Sequence, residues 1–245
     1  MNPLPILTAS ELEEIAAYVV RTEKAAALEL LLAGPTEAIL LSIAGRGHAV
    51  ADEAVRFALS RSPASEQPAC ARGCDACCYL HVVATVPEIL RIASFVRANQ
   101  SITEQALIRQ RIDQEIERTQ KQTAEERRRM RIPCPLLDIE KRECKVHEVR
   151  PAACRGWNSL DAEICNHDRQ NPELNTKARI NLTQYLLANK VTEGYREALR
   201  ALGKNNQSLD LARGLKAVLD NERAGESWIS GDQVFDAAIN DNVFI

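Results

Sequence analysis

The sequence predicts a mainly α protein, in which helices surround a small β-hairpin and a cysteine-ligated metal-binding core. Apolar residues recur at helical spacing over most of the chain, as between Leu12 and Val19. Hydrophobic residues make up 45% of the chain but aromatic residues only 4%, so the core must be built from aliphatic side chains, which suits helices. Finally, four of the eight cysteines lie in the short stretch from Cys70 to Cys78.

Residues 1–62 are predicted to form an N-terminal extension of two helices. Ser10 and Glu13 have capping-box spacing at the start of the first helix. Thr36 is placed to cap the second helix, which packs its apolar face on the first. The glycines of Gly45-Arg46-Gly47 predict a break in this second helix, because glycine is a weak helix former.

Residues 63–170 are predicted to form the cysteine-cluster metal-binding domain. After the cluster, Thr85 is placed to cap one helix and Ser101 to cap the next. The charged stretch that follows contains three consecutive arginines, residues 127–129, which are predicted to lie on a solvated helical face.

A β-hairpin and a short helix are predicted to carry the remaining cysteines of this domain. Cys134 and Cys144 fall on the two arms of the hairpin. Pro151 suits the first position of a helix with Cys154 in its opening turn. We expect the positive end of that helix to favour the thiolate form of Cys154.

Residues 171–245 are predicted to form a C-terminal helical segment that packs on the core. Helical spacing runs over residues 171–203, and Ser208 is placed to begin a further helix. The apolar residues of the tail are expected to pack back onto the body; they are Trp228, Phe235, Ile239 and Phe244.

The arrangement of the cysteines indicates metal binding. Thiolates two or three residues apart can turn towards one point, and remote thiolates then close the site. Seven thiols are the predicted ligands: Cys70, Cys74, Cys77, Cys78, Cys134, Cys144 and Cys154. The residues alone allow zinc or iron, the latter including a [4Fe–4S] cluster, and either two centres or one centre with spare thiols.

The sequence leaves more than one role possible for some of these thiols and for residues near them. Adjacent side chains diverge, so Cys77 and Cys78 are expected to serve two centres, or one of them to lie beside a centre. Cys165 is either an eighth ligand or a spare thiol, and His147 is either a ligand or a surface histidine. Six basic residues near the cysteines are expected to offset thiolate charge and lower thiol pKa values; they are Arg72, Lys141, Arg142, Lys145, Arg150 and Arg155.

The net charge and the hydropathy of the chain limit the kinds of partner and the cellular compartment that we expect. A formal net charge of −3 argues against binding to nucleic acid or to an anionic membrane surface. No apolar run is long enough to span a bilayer, and the first residues lack the basic and apolar regions of a signal peptide. We therefore expect a cytoplasmic protein with reduced thiols, which argues against four disulfides.

The cysteine pattern resembles a known family. Cys70-x3-Cys74-x2-Cys77-Cys78, Cys134-Pro135-Leu136-Leu137, Cys144 and the block from Arg150 to Arg155 are together similar to the YkgJ-type cysteine-cluster family. The resemblance implies chelation of zinc or iron. Family members often have a tyrosine shortly after the cysteine matching Cys144, where this chain has Val146-His147.

Two main hypotheses of function follow. The first is a metal-binding module with a structural, sensing or carrier role, whose partners are the metal ion and a protein. The second is a metal- or Fe–S-dependent enzyme that modifies a protein substrate, because a similar cysteine pattern occurs in flagellin lysine N-methylases. A redox relay of cysteines without metal is a third hypothesis. The sequence shows neither a glycine-rich cosubstrate loop nor an obvious acid–base pair, so catalytic residues stay unassigned.

Overall fold

The protein is described here by a computed structural model that covers residues 6–174, 176–204 and 207–239. Within these ranges the chain forms ten α-helices and two small antiparallel sheets of two strands each, which confirms the predicted mainly α class with its hairpin. None of the helices in the described ranges combines the length and the apolar character needed to cross a bilayer.

The chain begins with two long helices, α1 (Ala9–Leu32) and α2 (Glu37–Ser60). Thr36 caps α2 as predicted, by accepting a hydrogen bond from the Ile39 amide. The predicted Ser10 cap of α1 is wrong. Thr8 is the cap, because its backbone amide donates to the Glu11 side chain at 2.8 Å and its hydroxyl accepts from the Glu11 amide, so the helix starts earlier.

The predicted break at Gly45-Arg46-Gly47 is also wrong, because α2 runs through these residues without interruption. A Cβ atom on Gly47 would lie 3.0 Å from the Tyr195 ring, and one on Gly45 would lie 2.8 Å from the Arg91 guanidinium. These glycines therefore allow other parts of the chain to approach the helix closely, rather than ending it.

Seven further helices lie between residue 86 and residue 220. Thr85 and Ser101 cap α3 and α4 as predicted. The short α6 follows Pro151 as expected, whereas α9 is capped by Asp210 and not by Ser208. In order, the helices are α3 (Val86–Asn99), α4 (Ile102–Thr119), α5 (Ala124–Met130), α6 (Ala152–Gly156), α7 (Ala162–Gln170), α8 (Leu182–Ala201) and α9 (Leu211–Asp220).

One sheet pairs two segments that are far apart in sequence, and the other pairs two neighbouring segments. Strand β1 (Val83–Ala84) pairs with β4 (Leu209–Asp210), so the segment after the cysteine cluster is tied to the C-terminal part. Strand β2 (Leu137–Asp138) pairs with β3 (Glu143–Cys144), which confirms the predicted hairpin.

The C-terminal part packs against the body of the protein. Helix α8 starts at Leu182, later than the predicted 171, because Asn181 caps it and residues 176–181 are not helical. A last helix, α10 (Ala224–Ser230), follows α9. Trp228 and Phe235 are buried in the main core as predicted, while Phe244 lies outside the described residues.

Helix α8 is the element against which α1, α2 and α6 all pack. The closest approach is at Gly194, where an added Cβ would lie 2.7 Å from both the Val20 carbonyl oxygen and the Glu23 Cβ. Helices α3 and α4 both pack against α9 in the main apolar core. Its fully buried aliphatic side chains include Ile89, Ile92, Ile108, Ile112 and Leu215.

A buried ionic network lies beside the first sheet and differs from the prediction of a solvated arginine face. The Asp210 carboxylate lies 3.0 Å from the His81 ring and 2.8 Å from the Arg127 guanidinium. Burial alone would raise the pKa of Asp210, but His81, the Arg213 amide and Arg127 together hold it well below its usual value. Arg127 is therefore a half-buried ion-pair partner of Asp210 and Glu115.

Glu115 is the carboxylate of this network whose ionised form is disfavoured. Burial, and then the charge of Asp210, raise the pKa of Glu115 to about 7, although Arg127 lies 3.4 Å away and favours the ionised form.

We predict that Gly194→Ala destabilises the protein, because the new methyl group meets backbone and Cβ atoms that cannot move aside. The free energy of unfolding should fall by about 1–3 kcal/mol, measured by urea denaturation. Gly45→Ala is the matched control. Its methyl group meets only the flexible end of Arg91 and gains helix propensity, so a change within about 1 kcal/mol is expected. Equal losses in both variants would contradict this account.

We predict that Glu115→Gln stabilises the protein above about pH 4.5, with the full gain reached above about pH 7. The raised pKa means that the native state binds the proton more tightly than the unfolded state, so wild-type stability falls as pH rises from about 4.5 to about 7. Gln mimics the protonated acid. The variant should match the wild type near pH 4.5 and exceed it by up to about 3 kcal/mol at pH 8. Glu117→Gln, an exposed change on the same helix, should show no such trend in urea denaturation.

Candidate metal centre

The loop that carries the first four cysteines is folded by two tight turns. The Cys74 amide donates to the Ala71 carbonyl at 3.0 Å, and Gly73 has a positive φ of 83°, which favours glycine. The Cys78 amide then donates to the Asp75 carbonyl at 2.9 Å, at the start of a 3₁₀ turn over Ala76–Tyr79. These turns fold the loop compactly between Ala71 and Tyr79.

Four contacts tie this loop to the rest of the domain. The Arg142 guanidinium lies 2.6 Å from the buried Asp75 carboxylate, and the Cys134 amide donates to the Cys78 carbonyl at 2.7 Å. Arg72 pairs with Glu143 at the surface, and Ala69 donates to the Ser159 carbonyl at 2.8 Å. The first three of these contacts place the loop on the hairpin.

The hairpin holds its two cysteines next to each other. Cys144 pairs with Leu137 in the strand register, and the Leu137 amide donates to the Cys134 carbonyl at 2.9 Å. Both cysteines are half-buried and pack against the main apolar core. The sulfur atoms are therefore attached to a rigid part of the fold.

Cys154 lies on α6, which is held at its start and near its end. The Glu88 carboxylate accepts the Ala152 amide at 2.8 Å while also capping α3. The buried Arg155 side chain donates to the Arg150 carbonyl at 2.9 Å and to the Asp52 carboxylate at 2.5 Å. Arg155 also donates to the carbonyl of Glu148.

Three of the four histidines lie beside charged side chains. The His147 ring lies against the Arg150 guanidinium, with both ring nitrogens about 3 Å from Nη1. Partial burial and the charge of Arg150 lower the pKa of His147. His81 pairs with Asp210, and His167 is exposed. His48 is buried, with its Nε2 atom 3.7 Å from the Glu88 carboxylate, because α2 packs on α3.

The thiols interact electrostatically across the loop, the hairpin and α6. The ionised form of Cys77 raises the pKa of both Cys144 and Cys154, and Cys144 and Cys154 both raise the pKa of Cys134. Such effects act only between close groups. The structure therefore brings thiols from remote parts of the chain into one neighbourhood.

The pKa values of six thiols are raised, which contradicts the expected lowering by nearby cations and by the start of α6. The hydrogen bond with the Cys78 thiol is the largest cause at Cys77. Burial is the largest cause at the other five thiols, namely Cys70, Cys134, Cys144, Cys154 and Cys165.

The basic residues fail to lower these pKa values because most of them are engaged by carboxylates. Arg142 is paired with Asp75, Arg155 with Asp52, and Lys145 with Glu104 and Asp138. Arg150 lowers the pKa of Cys144 and Cys154, but not enough to outweigh burial.

The donor set suits a thiophilic metal such as zinc or iron. In the ranges that the structure describes, however, no group of three or more His, Cys, Asp or Glu side chains is already placed to hold a metal ion. Metal binding would have to draw the side chains together, and the predicted ligand set stays a prediction.

Sequence reasoning missed the residues that hold the thiols in position. Asp75 lies inside the cysteine motif, yet its buried pairing with Arg142 depends on the hairpin. Ser159 and Arg155 bond to parts of the chain far away in sequence. The only local signal was the position of Asp75 and Arg155 directly beside cysteines.

Residues 69–179 match the family model CxxCxxCC, described as "Putative zinc- or iron-chelating domain". The resemblance inferred from the cysteine pattern is thereby confirmed for this segment. The comparisons with curated proteins and with solved structures found no match.

We predict that Arg142→Gln lowers the urea midpoint of unfolding well below that of the wild type, because it leaves the buried Asp75 carboxylate without its cation. Arg72→Gln is the matched control. It breaks an ion pair between the same loop and hairpin, but Arg72 is 89% exposed, so its midpoint should stay close to wild type. The interpretation is wrong if the two variants lower the midpoint equally.

Proposed function

We propose that the zinc- or iron-chelating cysteine domain at residues 69–179 binds its metal through thiolates from three separate parts of the chain. The proposed ligands are drawn from the loop, the hairpin and α6, and they comprise Cys70, Cys74, Cys77, Cys78, Cys134, Cys144 and Cys154. The observation that carries the proposal is the position of Cys77, whose charge acts on both Cys144 and Cys154.

The electrostatics of these thiols support a cation as the missing partner. Burial and mutual repulsion keep the resolved thiols protonated at neutral pH. A bound divalent metal supplies the positive charge that stabilises several thiolates at once. Chelation therefore exchanges thiol protons for one metal ion, and the affinity should rise with pH.

The anchors around the thiols favour a structural or sensing role for the bound metal. Arg155, Glu88 and the Asp75–Arg142 pair hold α6, the loop and the hairpin through contacts within the protein. A metal bound by cysteines of these three segments would join them further. A protein partner that recognises the joined segments would make the domain a metal-dependent module.

The proposal keeps the predicted organisation and compartment. The metal-binding part extends over residues 63–170, with helical segments at 1–62 and 171–245 that pack on it through α2 and α8. A reducing, cytoplasmic compartment would keep the thiols available. Nucleic acid is not an expected partner, and the alternative of a protein-modifying enzyme similar to lysine N-methylases stays a prediction.

We predict that protein purified without oxygen contains zinc or iron. Elemental analysis identifies the metal, and a visible absorption spectrum separates a coloured Fe–S cluster from colourless zinc. Cys154→Ser should lower the metal content, because it removes a ligand from the centre of the cluster. Ala153→Ser is the matched control, since it introduces the same side chain one position away and removes no thiol. Metal-free wild-type protein that does not bind added zinc or iron would exclude chelation.

We also predict that zinc binding releases about one proton for each thiol ligand at pH 7, because the resolved thiols are protonated in the metal-free protein. Calorimetric titrations in buffers of different ionisation enthalpy measure this number. The apparent affinity should weaken as pH falls, since protons compete for the sulfur atoms. Proton release close to zero would show that the cysteines are not the ligands.

A further inference from the structure

An apolar pocket lies where α1 turns into α2 and where α8 ends against α10. Its volume is about 290 Å³. The floor of the pocket is formed by four buried side chains of the main core, namely Leu31, Leu40, Leu199 and Trp228. The residues that line it lie outside the matched segment 69–179, so the pocket is separate from the cysteines.

The rim of the pocket is also apolar, and it is open. Leu32 is 72% exposed, whereas Leu202 and Ile229 are partly buried against the core. Gly34 lies in the turn between α1 and α2, and a Cβ atom added to it would meet no other atom within 4 Å. The shape is that of a small ligand site, because such sites are mostly apolar concavities with few polar groups and volumes from about 300 Å³ upwards.

One cation lies at the rim. Lys204 lines the pocket, and its Nζ atom donates a hydrogen bond to the Ile229 carbonyl beside it. The ammonium group has three hydrogens, so this bond leaves two of them for an anionic group. A carbonyl group does not neutralise the positive charge. The other described residues that line the pocket are uncharged, so an anion bound here would meet one cation and no carboxylate of the lining.

We propose that this pocket binds a free medium-chain fatty acid, with its carboxylate on Lys204 and its aliphatic chain on the leucine floor. The chain suits the floor because leucine side chains offer it apolar contact and no hydrogen bond. The carboxylate suits Lys204 because it accepts charge-assisted hydrogen bonds from an ammonium group. The proposal adds a binding function to the helices outside the cysteine domain and does not depend on metal chelation.

Trp228 provides the test, because it is part of the pocket floor. The chain has two tryptophans, so Trp157→Phe leaves Trp228 as the single fluorescent tryptophan. Addition of octanoate to this variant of the full chain should change its tryptophan emission with saturation. From hexanoate to decanoate the affinity should rise about fourfold for each added methylene, until the pocket is full.

Two further variants in this background separate the role of the charge from that of the apolar floor. Lys204→Met should weaken octanoate binding about tenfold and leave the binding of octanol, which has no charge, unchanged. Lys177→Met is the matched control, because it removes an exposed lysine elsewhere and should affect neither ligand. Leu202→Phe fills part of the pocket and should weaken both ligands.

Several outcomes would overturn the proposal. One is the absence of a saturable signal with octanoate and decanoate, and another is equal weakening of octanoate and octanol by Lys204→Met. Binding that appears only after Phe244→Ala would identify the chain's own last residues as the occupant. Binding that is lost as the protein dimerises, measured by sedimentation, would identify a second copy. If a variant fails to fold, the comparison of octanoate with octanol in Trp157→Phe decides, because only a cationic site prefers the carboxylate.

Discussion

Sulfur atoms packed side by side cannot all lose their protons unless a positive charge compensates them, and this constraint governs the centre of the protein. Burial raises the pKa of the thiols on the hairpin and on α6, and each thiolate that forms makes the next one harder to form. The nearby Arg142 and Arg155 are engaged by carboxylates. The compensating charge must therefore come from outside the chain, which is the physical reason for inferring a metal.

The framework around the thiols has its own sources of stability. Glu88 caps two helices at once, Arg155 joins α6 to α2, and Asp75 joins the loop to the hairpin. Each is a buried charge with several hydrogen-bond partners, so removal of one partner is costly. The framework limits where the sulfur atoms can be.

Local patterns predicted most helices and the hairpin, and they failed where tertiary contacts prevailed. Apolar spacing with Thr36, Thr85 and Ser101 gave correct helix starts, because a cap depends only on neighbouring residues. Gly45 and Gly47 were misinterpreted as a break, since their close contacts with Arg91 and Tyr195 are invisible locally. The predicted lowering of thiol pKa values failed for the same reason: the pairing of cations with distant carboxylates decides their effect.

By itself, the sequence determined the mainly α class, the donor chemistry and the family resemblance, because periodicity and residue type are local properties. Only the tertiary structure decided which thiols are neighbours. The Ser159 amide donates to the Cys70 sulfur, and helix α7, which carries Cys165, packs against the 3₁₀ turn of the cysteine loop. Likewise, the buried position of His48 follows from the packing of α2 on α3. Proximity between remote residues comes from burial of apolar surface in the whole fold, which no single stretch of sequence specifies.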